Sequence, residues 1–207
     1  MPTLSSVFLI FFITLGPIKT IAPFVQLTAG ADAAHCRRVA LRAALASTFV
    51  VLVLAMVGPL ILENWGVSFT AVALTGGVIL FLTSLQVMLV PTESASVRSE
   101  APAALSTAML ISRLVIPTIV TPSGIAAILA LVVLSEGNNQ LRLQIVGLLI
   151  AVMVFNMIIM LSARRVMALL TVAGLRVIGW VFAVLQASLG AQIIINALRR
   201  LGTLPMQ

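Results

Sequence analysis

Lys19 stands between two prolines inside an apolar stretch long enough to cross a membrane. The run is LGPIKTIAP, with Gly16, Pro17, Lys19, Thr20 and Pro23. In the second half of the chain another apolar stretch is interrupted in the same way. It reads RLVIPTIVTPSG, with Arg113, Pro117, Thr121, Pro122, Ser123 and Gly124. Proline removes an amide donor and its ring clashes with the preceding turn. Backbone groups freed in this way cannot face lipid, so they must face protein or a polar cavity. Two interrupted helices at matching positions of two halves form the pattern of a solute site near the bilayer midplane. The first-rank candidates for solute contact are Lys19, Thr20, Pro23, Thr121, Pro122, Ser123 and Gly124. Gly16, Pro17, Arg113, Pro117, Asn156 and Gln192 are secondary candidates.

The elements that must position these residues are membrane helices. The chain has 207 residues, 61% hydrophobic and 8% charged, with a mean hydropathy of +1.24. That composition excludes a soluble domain, and the continuous apolar runs exclude a β-barrel, whose strands alternate. A span needs about 20 apolar residues. Six segments meet that requirement: Leu4 to Thr28 (broken at Gly16 to Pro23), Val39 to Leu62, Val67 to Val90, Leu105 to Leu134 (broken at Pro117 to Gly124), Leu143 to Ala163, and Leu175 to Leu198. The polar stretch from Pro91 to Pro102 separates three helices from three. It divides the chain into a first repeat at 1–90, a linker at 91–104 and a second repeat at 105–200. The GNNQ run from Gly137 to Gln140 reads as a turn. Arg164 to Gly174 reads as a connection or a short interfacial helix.

Orientation follows from the basic residues of the short connections. Arg37, Arg38, Arg42, Arg98, Arg164, Arg165 and Arg176 fall in or beside the odd connections, and Arg142, Arg199 and Arg200 on the other side. The odd connections, including the linker, are therefore expected in the cytoplasm and both termini outside. With three helices per half, the second half enters from the side opposite the first. The expected architecture is an all-α membrane domain of two inverted-topology repeats. The formal charge of +7 belongs to helix ends and lipid head groups, not to a nucleic-acid partner. The N-terminus lacks the basic residues of a cleaved signal peptide.

Lys19 and Arg113 are the expensive residues, since a basic side chain at helix centre costs about 2.5–3.5 kcal/mol. Snorkelling is the plainer account of Arg113, and a cavity-facing role the better account of Lys19. The acids Asp32, Glu63, Glu93, Glu100 and Glu136 all sit in connections or at helix ends, so none is expected to pair with Lys19. One cysteine, Cys36, and one histidine, His35, fall in a predicted loop without a carboxylate cluster, so no metal site is expected. Thr14, Thr20, Thr118, Thr121 and Ser123 lie near the breaks, where a hydroxyl can satisfy a carbonyl one turn back or meet a solute. Asn156, Gln86, Gln186 and Gln192 read first as interhelical hydrogen-bonding amides, and Gly76-Gly77 as a close helix contact. There is no metal-ligand set, nucleophile–base pair or nucleotide loop, so an enzyme is not expected.

Four segments together resemble the MarC family of six-helix bacterial inner-membrane proteins, classed as neutral amino acid transporters. GPIKTIAPFVQLTAG is similar to the family's D-P-x-G-x-x-P-x-F followed by L-T, keeping Pro17, Pro23 and Leu27-Thr28. GVSFTAVALTGG keeps Gly66, Ser68, Gly76 and Gly77 of a G-I-S turn and R-I-A-G-G. PTIVTPSG keeps Pro117 and Pro122 of P-L-x-A-G-P-G. GAQIIINAL keeps Gly190, Gln192 and Ile194-Ile195 of G-x-Q-x-I-I-x-G. The chain departs from the pattern at Gly16, Lys19, Ala73, Thr121, Ser123 and Trp180. The resemblance implies a small, amino-acid-like solute and the bacterial inner membrane. The interrupted helices read as those of a secondary transporter, and Lys19, a departure from the family pattern, would hold a carboxylate. A non-transporting scaffold or envelope-stress protein, and a channel for small neutral molecules or anions, are the rival readings. The expected partners are the lipid bilayer and a small-molecule solute. No cofactor is expected, no coupling ion is assigned, and homo-oligomerisation is left open.

Overall fold

The structure, a computed structural model, describes residues 4–16, 19–89, 107–135, 137–169 and 172–202. Among them there are helices and no strands. In chain order these are α1 (Leu4–Thr14), α2 (Ile21–Leu27), α3 (Ala33–Asn64), α4 (Phe69–Leu89), α5 (Thr107–Arg113), a π-helical segment (Leu114–Ile119), α6 (Pro122–Leu134), α7 (Asn139–Leu169) and α8 (Val172–Arg200). Four of them, α3, α4, α7 and α8, are long and apolar enough to cross a membrane. α1, the run Thr107–Ile116 (α5 with the start of the π-helical segment) and α6 are shorter apolar helices. Pro17, Glu136 and the linker at 91–104 lie outside the described residues.

The starts of α3, α4, α6 and α7 share one device. A short polar side chain just before the helix accepts the amide three residues on, satisfying one of the donors that a helix start leaves free. Asp32 accepts from His35 N at 3.0 Å, Ser68 from Ala71 N at 3.3 Å, Thr121 from Gly124 N at 3.0 Å and Asn138 from Leu141 N at 3.0 Å. Glycines at positive φ close the turns before α4 and α7, Gly66 at 63° and Gly137 at 79°.

These caps move several boundaries expected from hydropathy alone. Asp32 starts α3 six residues before the apolar run, so His35 and Cys36 are helical rather than in a loop, and Cys36 is buried. With 32 residues, α3 is ~48 Å long, longer than a bilayer core of about 30 Å. Its first turns therefore carry Arg37 and Arg38 beyond the apolar zone. Asn139 and Gln140 belong to α7 rather than to a turn. The stretch from Arg164 to Gly174 is not a separate interfacial helix: α7 runs on to Leu169 and α8 begins at Val172.

α3 packs on α7, α4 on α8, and α1 on α6, while α6 also lies against α3 and α4. The α4–α8 crossing is close because glycines meet there. A Cβ on Gly190 would come within 2.8 Å of Gly77 O and of Phe81 N, and one on Gly77 within 2.9 Å of Gly190 O. Gly76 faces α6 instead, where its Cβ would lie 3.0 Å from that of Ala126. The core between the helices holds Phe11, Leu15, Phe24, Leu114, Ile128, Leu149 and Met160. The outer face of α3 exposes Leu45, Phe49, Met56 and Leu60. An apolar exterior of this kind needs lipid as its solvent.

Candidate functional site

Two short interruptions of helical backbone meet in the interior. α1 stops at Thr14 because Gly16 takes φ +36° and Pro17 follows with no amide to give. The chain turns through a Lys19 N to Gly16 O bond of 3.0 Å and resumes as α2 at Ile21. Gly16 is required for more than its φ. A Cβ there would sit 2.9 Å from Lys19 Cδ, so the lysine stem packs over the glycine. In the second half, Arg113 O would ordinarily accept from the residue at position 117, which is proline. The hydroxyl of Thr118 donates to it instead, at 3.0 Å. Ile116 leaves helical geometry (φ −126°, ψ 124°), and Val120 N reaches back to Val115 O at 2.8 Å.

The end of α1 meets the start of α6. Thr121 caps α6, and Pro122 takes the first helical position, where its missing amide costs nothing. Thr121 Oγ1 donates its single proton to Thr14 O, 3.0 Å away, satisfying a carbonyl that α1 leaves free by stopping. Its contact with Ser123 Oγ at 3.0 Å is therefore donated by Ser123, and Gly124 N donates to the same oxygen. Gly124 admits this approach, since a Cβ there would meet Leu15 Cδ2 at 2.6 Å.

α7 and α8 supply the other polar partners. Asn156 on α7 accepts from Thr20 Oγ1 at 3.1 Å and donates to Leu15 O at 3.2 Å, so one buried amide holds both sides of the turn. Gln186 on α8 accepts from the Lys19 ammonium. Its amide nitrogen donates to Thr83 Oγ1 on α4 at 3.1 Å, while Thr83 gives its own proton to Ile79 O at 2.8 Å. This order of donors fixes Gln186 Oε1 toward Lys19. No ion pair among the described residues involves Lys19. Phe12, one turn before Gly16, stacks its ring 5.7 Å from Phe155 on α7 and 6.0 Å from Phe182 on α8.

Of the residues singled out from sequence, Lys19, Thr20, Thr121, Ser123, Gly124, Gly16 and Asn156 come together here. Pro122 and Pro23 shape the two resumed helices, and Pro23 also leaves Lys19 O without its helical partner. Pro117 acts through the π-helical segment. Arg113 stands apart, half-buried beside a groove of about 610 Å³ with Ala46 and Ile116 on its walls. Gln192 is also elsewhere: it is exposed on α8 and donates to Asn196 Oδ1 at 3.0 Å. Gln86 is exposed. Two participants lie outside the solute-contact candidates. Gln186 reads from sequence as one interhelical amide among several, and Thr83 carries no reading from sequence. Their spacing to Lys19 exists only once α4 and α8 are packed. A cavity of about 490 Å³ lies between α1, α4, α6 and α8, and one of about 280 Å³ near Pro59 and Glu63. Neither these two nor the groove at Arg113 is lined by Lys19 or Ser123.

The family model of MarC family integral membrane proteins matches residues 1–201. The chain belongs to the MarC family. It is accordingly a multi-pass integral membrane protein, and the apolar outer faces of its helices are lipid-facing surface. Comparisons with curated proteins and with solved structures give no match. Within this MarC family chain, the junction of Thr14, Lys19, Thr20, Thr121, Asn156 and Gln186 is the largest gathering of interior polar side chains described above.

Proposed function

We propose that the protein is a secondary transporter of a small, amino-acid-like solute, not an enzyme, working by alternating access around two broken spans. α1 with α2 would form the first span, and α5, the π-helical segment and α6 the fourth. One observation carries the reading: an interior ammonium rests against a neutral side-chain amide rather than a carboxylate. A solute carboxylate can displace Gln186 Oε1 from Lys19 and gain a charged hydrogen bond that the empty protein lacks. The hydroxyls of Thr20, Thr121 and Ser123 are in reach of the same junction.

Two features support inverted repeats. Each half's elements pack on their counterparts, α3 on α7, α4 on α8 and α1 on α6. The buried stripes of α3 and α7 also align at one constant separation, pairing Ala40 with Ile145, Ala44 with Leu149, Ser47 with Val152, Val51 with Asn156 and Ala55 with Met160. The cytoplasmic assignment of the odd connections has its own support. Arg164, near the end of α7, donates to Thr28 O at 3.0 Å and to Ala31 O at 2.7 Å, bringing two arginine-rich ends together. Positive-inside bias then sets both termini on the outer face of a bacterial inner membrane.

The test is uptake and efflux of a panel of carboxylate-bearing and neutral solutes in proteoliposomes, with and without ion gradients. Saturable flux of a carboxylate solute is the expected result. The scaffold reading draws on the mutual satisfaction of the junction's polar groups, and it predicts no flux of any solute. Unsaturating flux would indicate a channel.

A further inference from the structure

The cavity of about 490 Å³ between α1, α4, α6 and α8 has a chemistry of its own. Its floor adjoins the polar junction, because Ile10 lies one turn before Thr14 and Ala127 one turn after Ser123. Its side wall at Ala73 has no bulk to fill the space. Its polar groups come from α8: Asn196 and Arg200, one turn apart and therefore on one face. Both present donors. Asn196 Oδ1 already accepts from Gln192 Nε2 at 3.0 Å, so the group Asn196 has to offer a ligand is its Nδ2 donor. The Arg200 guanidinium is held 5.1 Å over the ring of Phe69, another lining residue, by a cation–π contact. Among the described residues, no acid lines the cavity.

We propose that this cavity is a binding subsite for a small amphipathic monocarboxylate, its carboxylate on Arg200 and Asn196 and its alkyl body against Ile10 and Ala73. The described lining offers no partner for a solute ammonium, so the subsite favours a plain anion over a zwitterion. A mostly apolar pocket with a few convergent polar groups is the usual build of a small-molecule site. On the topology proposed above, the subsite opens outward and sits in series with the junction at Lys19. Its occupancy does not depend on transport.

The probe is labelled hexanoate, measured by equilibrium dialysis against the full chain in phosphatidylcholine nanodiscs, with empty nanodiscs as the blank. Saturable binding at one site per chain is expected. Each methylene removed from the probe should weaken it about fourfold. Arg200→Gln should weaken it about tenfold or more, and Ala73→Phe should weaken it by occupying the place of the alkyl body. The loss should be larger in Arg200→Gln than in Lys19→Met, and leucine should bind at least about tenfold more weakly than hexanoate. No saturable binding, or parental binding by both Arg200→Gln and Ala73→Phe, would overturn the proposal. So would loss of hexanoate in Lys19→Met alone, which would move the carboxylate to the junction and leave the transport reading standing. Repeating the measurement with phosphatidylglycerol separates the two sources of an anion: stoichiometric displacement of hexanoate by that lipid would make the cavity a head-group site and end the proposal.

Discussion

At Lys19 an ammonium inside the helix bundle is met by the side-chain oxygen of Gln186, which Thr83 in turn orients. Removing the acceptor should therefore cost more than removing the charge. Gln186→Leu leaves the ammonium without its partner, and we expect it to destabilise the protein by ~2–3 kcal/mol in a thermal or denaturant melt in detergent. Lys19→Met deletes an expensive charge and should leave the fold near parental stability. The double variant should recover most of the Gln186→Leu loss, a coupling that a double-mutant cycle reads directly. Additive effects would show that the pair does not interact. At this scale the sequence was legible where chemistry is intrinsically costly. A lysine between prolines in an apolar run declares itself, and so does the missing amide of Pro117. Gln186 and Thr83 did not stand out, because polarity in a membrane helix names no partner until the helices are packed.

The short elements around the junction are held by a few replacements for lost backbone bonds. Thr121 serves two of them, capping α6 and satisfying Thr14 O. Thr121→Val should cost ~2 kcal/mol, the loss of a cap together with an orphaned carbonyl. Thr121→Ser should cost far less because the oxygen is kept. Equal melting temperatures for parent and Thr121→Val would refute this role. The long helices depend instead on close approach. Gly190→Leu would drive side-chain atoms into the backbone of α4 at Gly77 and Phe81. A loss of ~3 kcal/mol or more, or failure to accumulate folded protein, is expected. The four long apolar helices, α3, α4, α7 and α8, could be read from hydropathy because twenty apolar residues admit few alternatives. The starts of α3 and α7 could not, because Asp32 and Asn138 extend the helices into polar sequence by capping, and a hydropathy window does not see a cap. Likewise, Arg164 to Gly174 divides between α7 and α8 through packing that its own composition does not express.

For the whole molecule, the two halves must lie across the membrane in opposite senses if the repeat architecture holds. Cys36 is a poor reporter of sidedness because it is buried in the first turns of α3. Arg38 is exposed two residues on. Arg38→Cys in a Cys36→Ala background should react with an impermeant maleimide in inverted vesicles and not in intact cells. Labelling in intact cells would reverse the topology. The membrane class was legible in composition alone, and the family in four ordered motifs that span nearly the chain. The site was legible only in part, since sequence marks the interruptions but not which of them touch. The claim on which the functional account rests is that Lys19 receives the solute's carboxylate. The most direct measurement is the concentration dependence of carboxylate-solute uptake into proteoliposomes by the parent, Lys19→Arg and Lys19→Met, each shown to be folded. The account predicts saturable uptake by the parent, a half-saturating concentration raised about tenfold or more in Lys19→Met, and an intermediate value for Lys19→Arg, whose guanidinium keeps the charge but not the shape. Uptake by Lys19→Met that matches the parent at every concentration would contradict it.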